Sequence, residues 1–471
     1  MTRHPKANRV PRSISPALTF ALLAGLAGFA LAAFSPGLLN DGDTYWHIRA
    51  GEWMIAHRAV LRFDIFSYTM AGAPWHTQEW LAEILMALAW MAGGWAGIHL
   101  LFATCTGLTA GLVGFFVRQR LDLIPAVLAA VLGLCCVSAS LLARPHMLTL
   151  PLLAVWICGL VLARERNKAP SGWLILVMPL WANLHGSFAF GLALASALAI
   201  EAVVEAEDRE TAARSWGVFL LGAVVSAMAT PFGFHTLLFP FQLSSMQGLA
   251  FIGEWQASDL SHLSPLLLAL LASLFVLGSG KVKVAPIRLL LFVGLMWLAL
   301  AHQRHQMLLG VTAPVLLAPF LAATWPARNE TQPSMFGALA ALGLVPLIVV
   351  RLMVPVVRGD DPRSPVSALA HLPADLREAR VLNDYSFSGY LIWTGIKVFI
   401  DSRADFYGDG FVKNYAQIAA ADRDALAGSL SRSGARWTIF ARNTAMANLM
   451  DAMPGWHRIY ADKLAVVHVR D

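Results

Sequence analysis

The stretch Asn40-Asp41-Gly42-Asp43-Thr44-Tyr45-Trp46-His47-Ile48-Arg49-Ala50-Gly51-Glu52-Trp53 directly follows the first long apolar run of the chain. That run, Ser15 to Leu39, is long enough to cross a bilayer, for which a helix needs about 20 apolar residues. Asp41, Asp43, His47, Arg49 and Glu52 therefore stand at a bilayer edge. Charge so placed costs free energy unless water or a ligand reaches it. The stretch points to the mouth of a membrane-embedded site, with Asp41 and Asp43 at its centre.

The rest of the chain agrees with a membrane setting. Of 471 residues 57% are hydrophobic and only 14% charged, against about 25% charged in soluble domains. The net charge of +6 does not indicate a nucleic-acid partner, because the basic residues cluster in short loops between apolar runs. That distribution carries topology. Cys105, Cys135, Cys136 and Cys158 all fall inside apolar runs and read as small buried hydrophobes. Arg3, Lys6, Arg9 and Arg12 precede the first run, which is too long for a signal-peptide core. Residues 1–15 thus read as a cytoplasmic basic N-terminus and residues 16–350 as an all-α polytopic bundle.

Loop charge sets the spans. Residues 40–95 read as the first external loop, with Trp80 to Met91 as an interfacial helix stopped at Gly93-Gly94. Ala96 to Val117 then spans, leaving Arg118 and Arg120 inside. Continuing in this way gives about eleven spans, the last ending near Val350. Basic groups fall on the cytoplasmic side, including Arg164, Arg166, Lys168, Lys281, Lys283 and Arg288. Residues 351–471 are polar, with short β-like runs (Arg380–Asn383, Lys397–Ile400, Trp437–Ala441, Leu464–Val469) alternating with helical ones. They read as a small α/β soluble domain on the outer side.

The same topology gathers the chemistry-bearing residues at the external ends: Asp41, Asp43, Glu79, Glu83, Arg144, His146, Asn183, His185, Glu254, His302, Arg304 and His305. Such a cluster suits a charged polar substrate. Each member also has a plainer reading. Asp43 sits where a helix N-cap belongs, and Asp41 where a turn residue does. His47, four residues on, shares a helical face with Asp43. Glu79 and Glu83 make a carboxylate pair that must face a cavity or the interface rather than lipid. Arg144 and His146 suit a phosphate, or lipid headgroups. His185 suits a ligand, or a hydrogen-bonded position inside the bundle. His302, Arg304 and His305 form the densest cationic group. HExxH, Walker and nucleophile-elbow motifs are absent, and no GxGxxG follows a strand. The chemistry expected is that of carboxylates and cations alone.

At Asp41, Asp43, Tyr45, Trp46, His47 and Arg49 the sequence resembles the GT-C fold glycosyltransferases. These integral membrane enzymes include oligosaccharyltransferase catalytic subunits, protein O-mannosyltransferases and aminoarabinose transferases. In that family a first span leads into an external loop that opens with a catalytic acid, and an interfacial helix follows. The stretches DGDTYWH, ARPHMLTLP, WANLHG and DSRADFYGD also look like a set of mostly uncharacterised bacterial membrane proteins. The resemblance implies a polyprenyl-phosphate-linked sugar donor and an envelope acceptor (lipid, glycan or protein), at the outer face of the bacterial inner membrane. It implies Asp43 as catalytic base with Asp41 assisting. It implies Arg144, His146, His302, Arg304 and His305 around the donor phosphate, and His47, Arg49, Glu79, His185 and Glu254 along the substrate. GT-C enzymes usually carry a further acid in the second external loop. Here Arg144 and His146 stand there, which leaves a divalent metal short of carboxylate ligands. Two other readings stay open: a non-catalytic carrier or flippase for polar cargo, and a scaffold whose working part is the Asp401-Ser402-Arg403-Ala404-Asp405 motif of the C-terminal domain.

Overall fold

A computed structural model describes residues 15–248, 255–328 and 334–471. Helices dominate up to Met353, and a four-stranded sheet lies near the C-terminus. Three described helices are long and apolar enough to cross a membrane: Pro16–Phe34, Trp80–Arg118 and Phe188–Glu205. Five shorter apolar helices accompany them: Leu123–Ser138, Gly172–Leu184, Pro265–Gly278, Pro286–Ala301 and Ala341–Met353.

Helix α1 (Pro16–Phe34) starts where Ser15 caps it, its hydroxyl accepting from the Leu18 amide, with Pro16 in the first turn. It packs along α3 (Trp80–Arg118) through small residues. A Cβ on Gly28 would lie 2.9 Å from that of Ala110, and one on Gly107 would lie 2.9 Å from the Gly25 carbonyl. Such close approach is how helices gain packing energy where burial of apolar surface gives little. Between them comes α2 (Asp43–His57), half-apolar, lying on the first part of α3. Helix α3 kinks at Gly93 and Gly94, whose backbones are non-helical, Gly94 with φ of +56°. The sequence divides there as expected, into residues 80–92 and a long apolar helix after the kink.

The chain continues through α4 (Leu123–Ser138), α5 (Pro145–Leu148), α6 (Leu150–Glu165), α7 (Val177–Leu184) and α8 (Phe188–Glu205). Then come α9 (Arg209–Ala227), α10 (Phe234–Ser244), α11 (Pro265–Gly278), α12 (Pro286–Ala301), α13 (Gln306–Leu321) and α14 (Ser334–Met353). Helices α6, α8 and α12 are tied at one end by a buried charge cluster. Arg288 donates to both carboxylate oxygens of Glu201 at 2.9 and 2.8 Å, and Arg164 approaches Glu201 at 3.5 Å. The opposite ends of these helices adjoin residues 146–149, 185–187 and 302–305, so the titratable loops gather at the other end of the bundle.

The sheet has the order β1-β2-β4-β3, with β1 (Val381–Asn383) parallel to β2 (Trp437–Ala441). β4 (Ala465–Arg470) is antiparallel to β2 and to β3 (Trp456–Ala461). Two expectations need correction. Lys397–Ile400 is no strand of this sheet: Val398 bridges Ser67, and the Phe399 amide donates to Asn383 Oδ1 at 2.8 Å. β3 has no apolar alternation to announce it, because it is an edge strand with mostly exposed side chains.

This domain sits on the segment 40–79 that follows α1. Arg403 donates to Asp64 at 2.6 Å and to Asp401 at 2.6 Å, all three nearly inaccessible to water. Its guanidinium lies among Trp75, Phe406 and Phe66, at 4.4, 4.8 and 5.2 Å from the ring centroids. Trp46 donates to Ser402 at 2.9 Å, and Tyr45 shares a hydrogen bond with Ser364 at 2.8 Å. The helix Ser388–Trp393 rests on the Asp41-Gly42-Asp43 turn so closely that a Cβ on Gly389 would lie 1.9 Å from the Gly42 carbonyl oxygen. Gly389→Ala should therefore cost about 1–3 kcal/mol through overpacking, read as a lowered melting midpoint of the detergent-purified protein. Gly217→Ala, inside α9 where nothing lies within 4 Å of the new Cβ, should hold or raise the midpoint through its better helix propensity.

Candidate active site

The Asp41 turn is held from three directions. Asp41 Oδ1 accepts from the Asp43 amide at 3.1 Å, the Asx geometry that turns the chain into α2. Thr44 donates to the Ala143 carbonyl at 3.0 Å, and the Ala143 amide donates to Leu38 at 2.8 Å. These bonds bring residue 144 against residue 41. Arg144 then forks onto Asp41, through Nε and through Nη2 at 2.9 Å, and its Nη2 reaches Asp43 at 2.8 Å. Two carboxylates thus share one guanidinium. Burial pushes the Asp41 carboxyl up, but the adjacent Arg144 more than offsets this and holds it below the usual carboxylate range.

Asp43 does not cap α2: the cap residue is Gly42, and it offers no side chain. His47 turns to the facing helix instead. Its Nδ1 lies 3.2 Å from Glu83 and its Nε2 3.8 Å from Glu79. Glu79 is reached from the other side by His185 Nε2 at 3.2 Å. His146 stacks edge-on to His185 with centroids 5.9 Å apart, and its buried Nε2 has no hydrogen-bond partner among the described residues. Gly51 permits all this: a Cβ there would lie 2.1 Å from the Glu83 carbonyl, so α2 and α3 are in backbone contact.

The electrostatics divide the cluster. Burial pushes the Glu79 carboxyl up to about 8, with Asp405 and Asp43 acting in the same sense against Arg304 and Arg144. Burial also holds His47, His146 and His185 well below the usual imidazole range. The Arg144 charge acts the same way on all three, and that of Arg304 on His146 and His185. At neutral pH the centre is therefore a protonated Glu79 among neutral imidazoles, beside the Asp41–Arg144–Asp43 group, in which Arg144 keeps Asp41 ionised. Glu79 and the histidines can hand on a proton. Asp43, with 16% of its side chain exposed against 4% for Asp41, is the accessible carboxylate of the charged group.

Of the residues singled out in the sequence, Asp41, Asp43, His47, Glu79, Arg144, His146 and His185 meet directly. Arg304 is close enough to act on Glu79, His146 and His185, and lies 4.8 Å above the Trp255 ring. His302 and His305 pack around the same Trp255, with His302 Nδ1 2.8 Å from its carbonyl. Arg49 pairs with Glu52 at 2.6 Å, donates to the Trp393 carbonyl at 2.8 Å and covers the Trp393 ring, at the seam with the C-terminal domain. Glu254 lies outside the described residues. Glu83 is more central than the sequence suggested, and Asp405 enters from a motif read as remote. Its signal was the charge density of Asp401 to Asp405, which does not say where the motif docks.

The donor set does not fit a divalent metal. Arg144 occupies the position between Asp41 and Asp43 that a cation would need, and among the described residues no three or more His, Cys, Asp or Glu are grouped to hold one. The chain matches no protein-family model and no curated protein.

Two outcomes follow. Arg144→Gln leaves buried Asp41 without its counter-charge and should cost about 3–5 kcal/mol, with Asp41→Asn recovering part of the loss in a double-mutant cycle. For Glu79 the sign is set by linkage. The unfolded chain releases that proton near 4.5 and the folded chain near 8. Its contribution to stability is whole below 4.5 and is lost as pH rises to 8. The melting midpoint of Glu79→Gln, measured against the parent, should gain steadily across that window and level off above it.

Proposed function

We propose that the protein is an integral membrane glycosyltransferase. It moves a sugar from a polyprenyl-phosphate donor to an envelope acceptor at the outer face of the bacterial inner membrane. In this reading the bundle has about eleven spans, the N-terminus is cytoplasmic and residues 351–471 are extracytoplasmic. The observation that carries it is the meeting of the carboxylate Asp43 and the carboxyl group of Glu79 with the cations Arg144 and Arg304 at one end of an apolar bundle. A groove of about 490 Å³ adds support. It lies between α4, α11, α12 and α13 and is lined by such residues as Leu128, Ala272, Phe292, Gly310 and Leu317. Helix α13 enters it directly from the Arg304–His305 turn, so a phosphate held at that turn would have an apolar path for its lipid tail.

The chemistry is a substitution at the anomeric carbon. An acceptor hydroxyl or amine attacks that carbon, and its proton passes to the Asp43 carboxylate. The bond from carbon to phosphate oxygen breaks, and polyprenyl phosphate leaves with the electron pair. Arg304 and the N–H groups of the neutral histidines meet the charge that develops there. Arg144 is already matched by two carboxylates, so its part is to hold Asp43 in position, while Arg304 faces the donor. Asp43→Asn, expressed at the parental level, should lower transfer by about 10²- to 10⁴-fold. Mass spectrometry of envelope glycans and lipid-linked sugars would read this. Transfer at the parental rate, or movement of unmodified cargo across vesicles by the purified protein, would overturn the proposal.

A further inference from the structure

A cleft of about 510 Å³, of mixed polar and apolar lining, opens where the loop around Tyr68 meets the C-terminal domain. That volume lies within the range of small-molecule sites. Tyr68 from the loop and Arg380, Phe411, Asn414, Ser429 and Arg432 from the domain line it. None of them belongs to the cluster around Asp43.

Both arginines are held in place without being neutralised. Arg380 donates to the Ser433 carbonyl at 3.0 Å, and its guanidinium lies 5.6 Å from the Tyr68 ring centroid. Arg432 lies against Ser429 Oγ at 3.5 Å and beside Gly428, where a Cβ would come 3.0 Å from its Nη1. Among the described residues no carboxylate pairs with either of them. Asn414 donates to Ser429 at 3.1 Å, which fixes an amide between the helices Ala404–Ala419 and Arg423–Ser433. Tyr68 is anchored through its hydroxyl to the Val381 carbonyl at 2.9 Å, so the loop wall cannot swing away independently of β1.

Paired guanidinium groups recognise planar or tetrahedral anions. The amide and hydroxyl groups beside them suit a ligand rich in hydroxyls, and the rings of Tyr68 and Phe411 suit one that also has apolar faces. A saccharide carrying carboxylate or phosphate combines these properties; a free inorganic anion would leave the rings and the amide unused. We propose that this cleft binds an anionic saccharide, outside the candidate active site and independently of whether that site transfers sugars.

The test uses full-length protein in nanodiscs and isothermal titration with three probes of equal length: an oligogalacturonate, a phosphorylated oligomannoside and a neutral malto-oligosaccharide. At least one anionic probe should bind about tenfold or more tightly than the neutral one. Preference between the two anionic probes identifies the anion as carboxylate or phosphate. The Arg380→Gln/Arg432→Gln double variant, which removes no ion pair among the described residues, should lose that preference while still unfolding cooperatively. Arg470→Gln, outside the cleft, should keep it. Equal binding of neutral and anionic probes, no binding of any probe, or undiminished binding by the double variant would overturn the proposal.

Discussion

The structure depends on one guanidinium shared by two carboxylates. Arg144 reaches Asp41 and Asp43 at one end of a largely apolar helical bundle. A buried ion pair of this kind is a poor source of stability, since desolvation offsets most of its attraction. What it supplies is register. The turn after α1 and the turn before α5 have only one relative position in which the fork can close, and the Thr44 and Ala143 bonds lock that position. From this follow the direction of α2, its contact with α3 at Gly51, and the approach of His47 to Glu79 and Glu83.

The pair also separates two chemical regimes within one cluster. Arg144 keeps Asp41 ionised, while three imidazoles a few ångströms away are held neutral by burial and by the same arginine, and burial keeps Glu79 protonated against it. A site that needs both a fixed negative charge and a mobile proton gains by such a division. At the other end of the bundle, Glu201 between Arg164 and Arg288 performs only the structural half of this work.

Much of this was legible before any coordinates. Polar residues at the ends of apolar runs must turn inward or outward, and the loop charges say which ends share a side. Asp41, Arg144, His185 and Arg304 could thus be assigned to one cluster across long sequence separations. The identity of the contacts was not legible. His47 is four residues from Asp43 and in helical register with it, yet its ring meets Glu79 and Glu83, because Gly51 lets α3 approach more closely than any local spacing reveals. Arg49, six residues after Asp43 in the same motif, faces the C-terminal domain; only the docking of Trp393 decides this. Lys397–Ile400 has the composition of a strand but spends its hydrogen bonds on Asn383 and the first loop. Periodicity reports which face of an element is apolar, and is silent on which partner covers it.

The contact between Gly42 and Gly389 has a consequence for the order of assembly. The turn that presents Asp43 is made early in the chain, but the surface that presses on it belongs to the last quarter. During synthesis the Asp41-Gly42-Asp43 turn must wait, facing water, while hundreds of residues are inserted and the final domain is formed. Trp46, Tyr45 and Asp64 wait with it for Ser402, Ser364 and Arg403. A bundle interrupted before its last domain would hold most of its charged residues in place and lack the cover that shapes them into a cavity. Completion of the chain and completion of the site are then the same event.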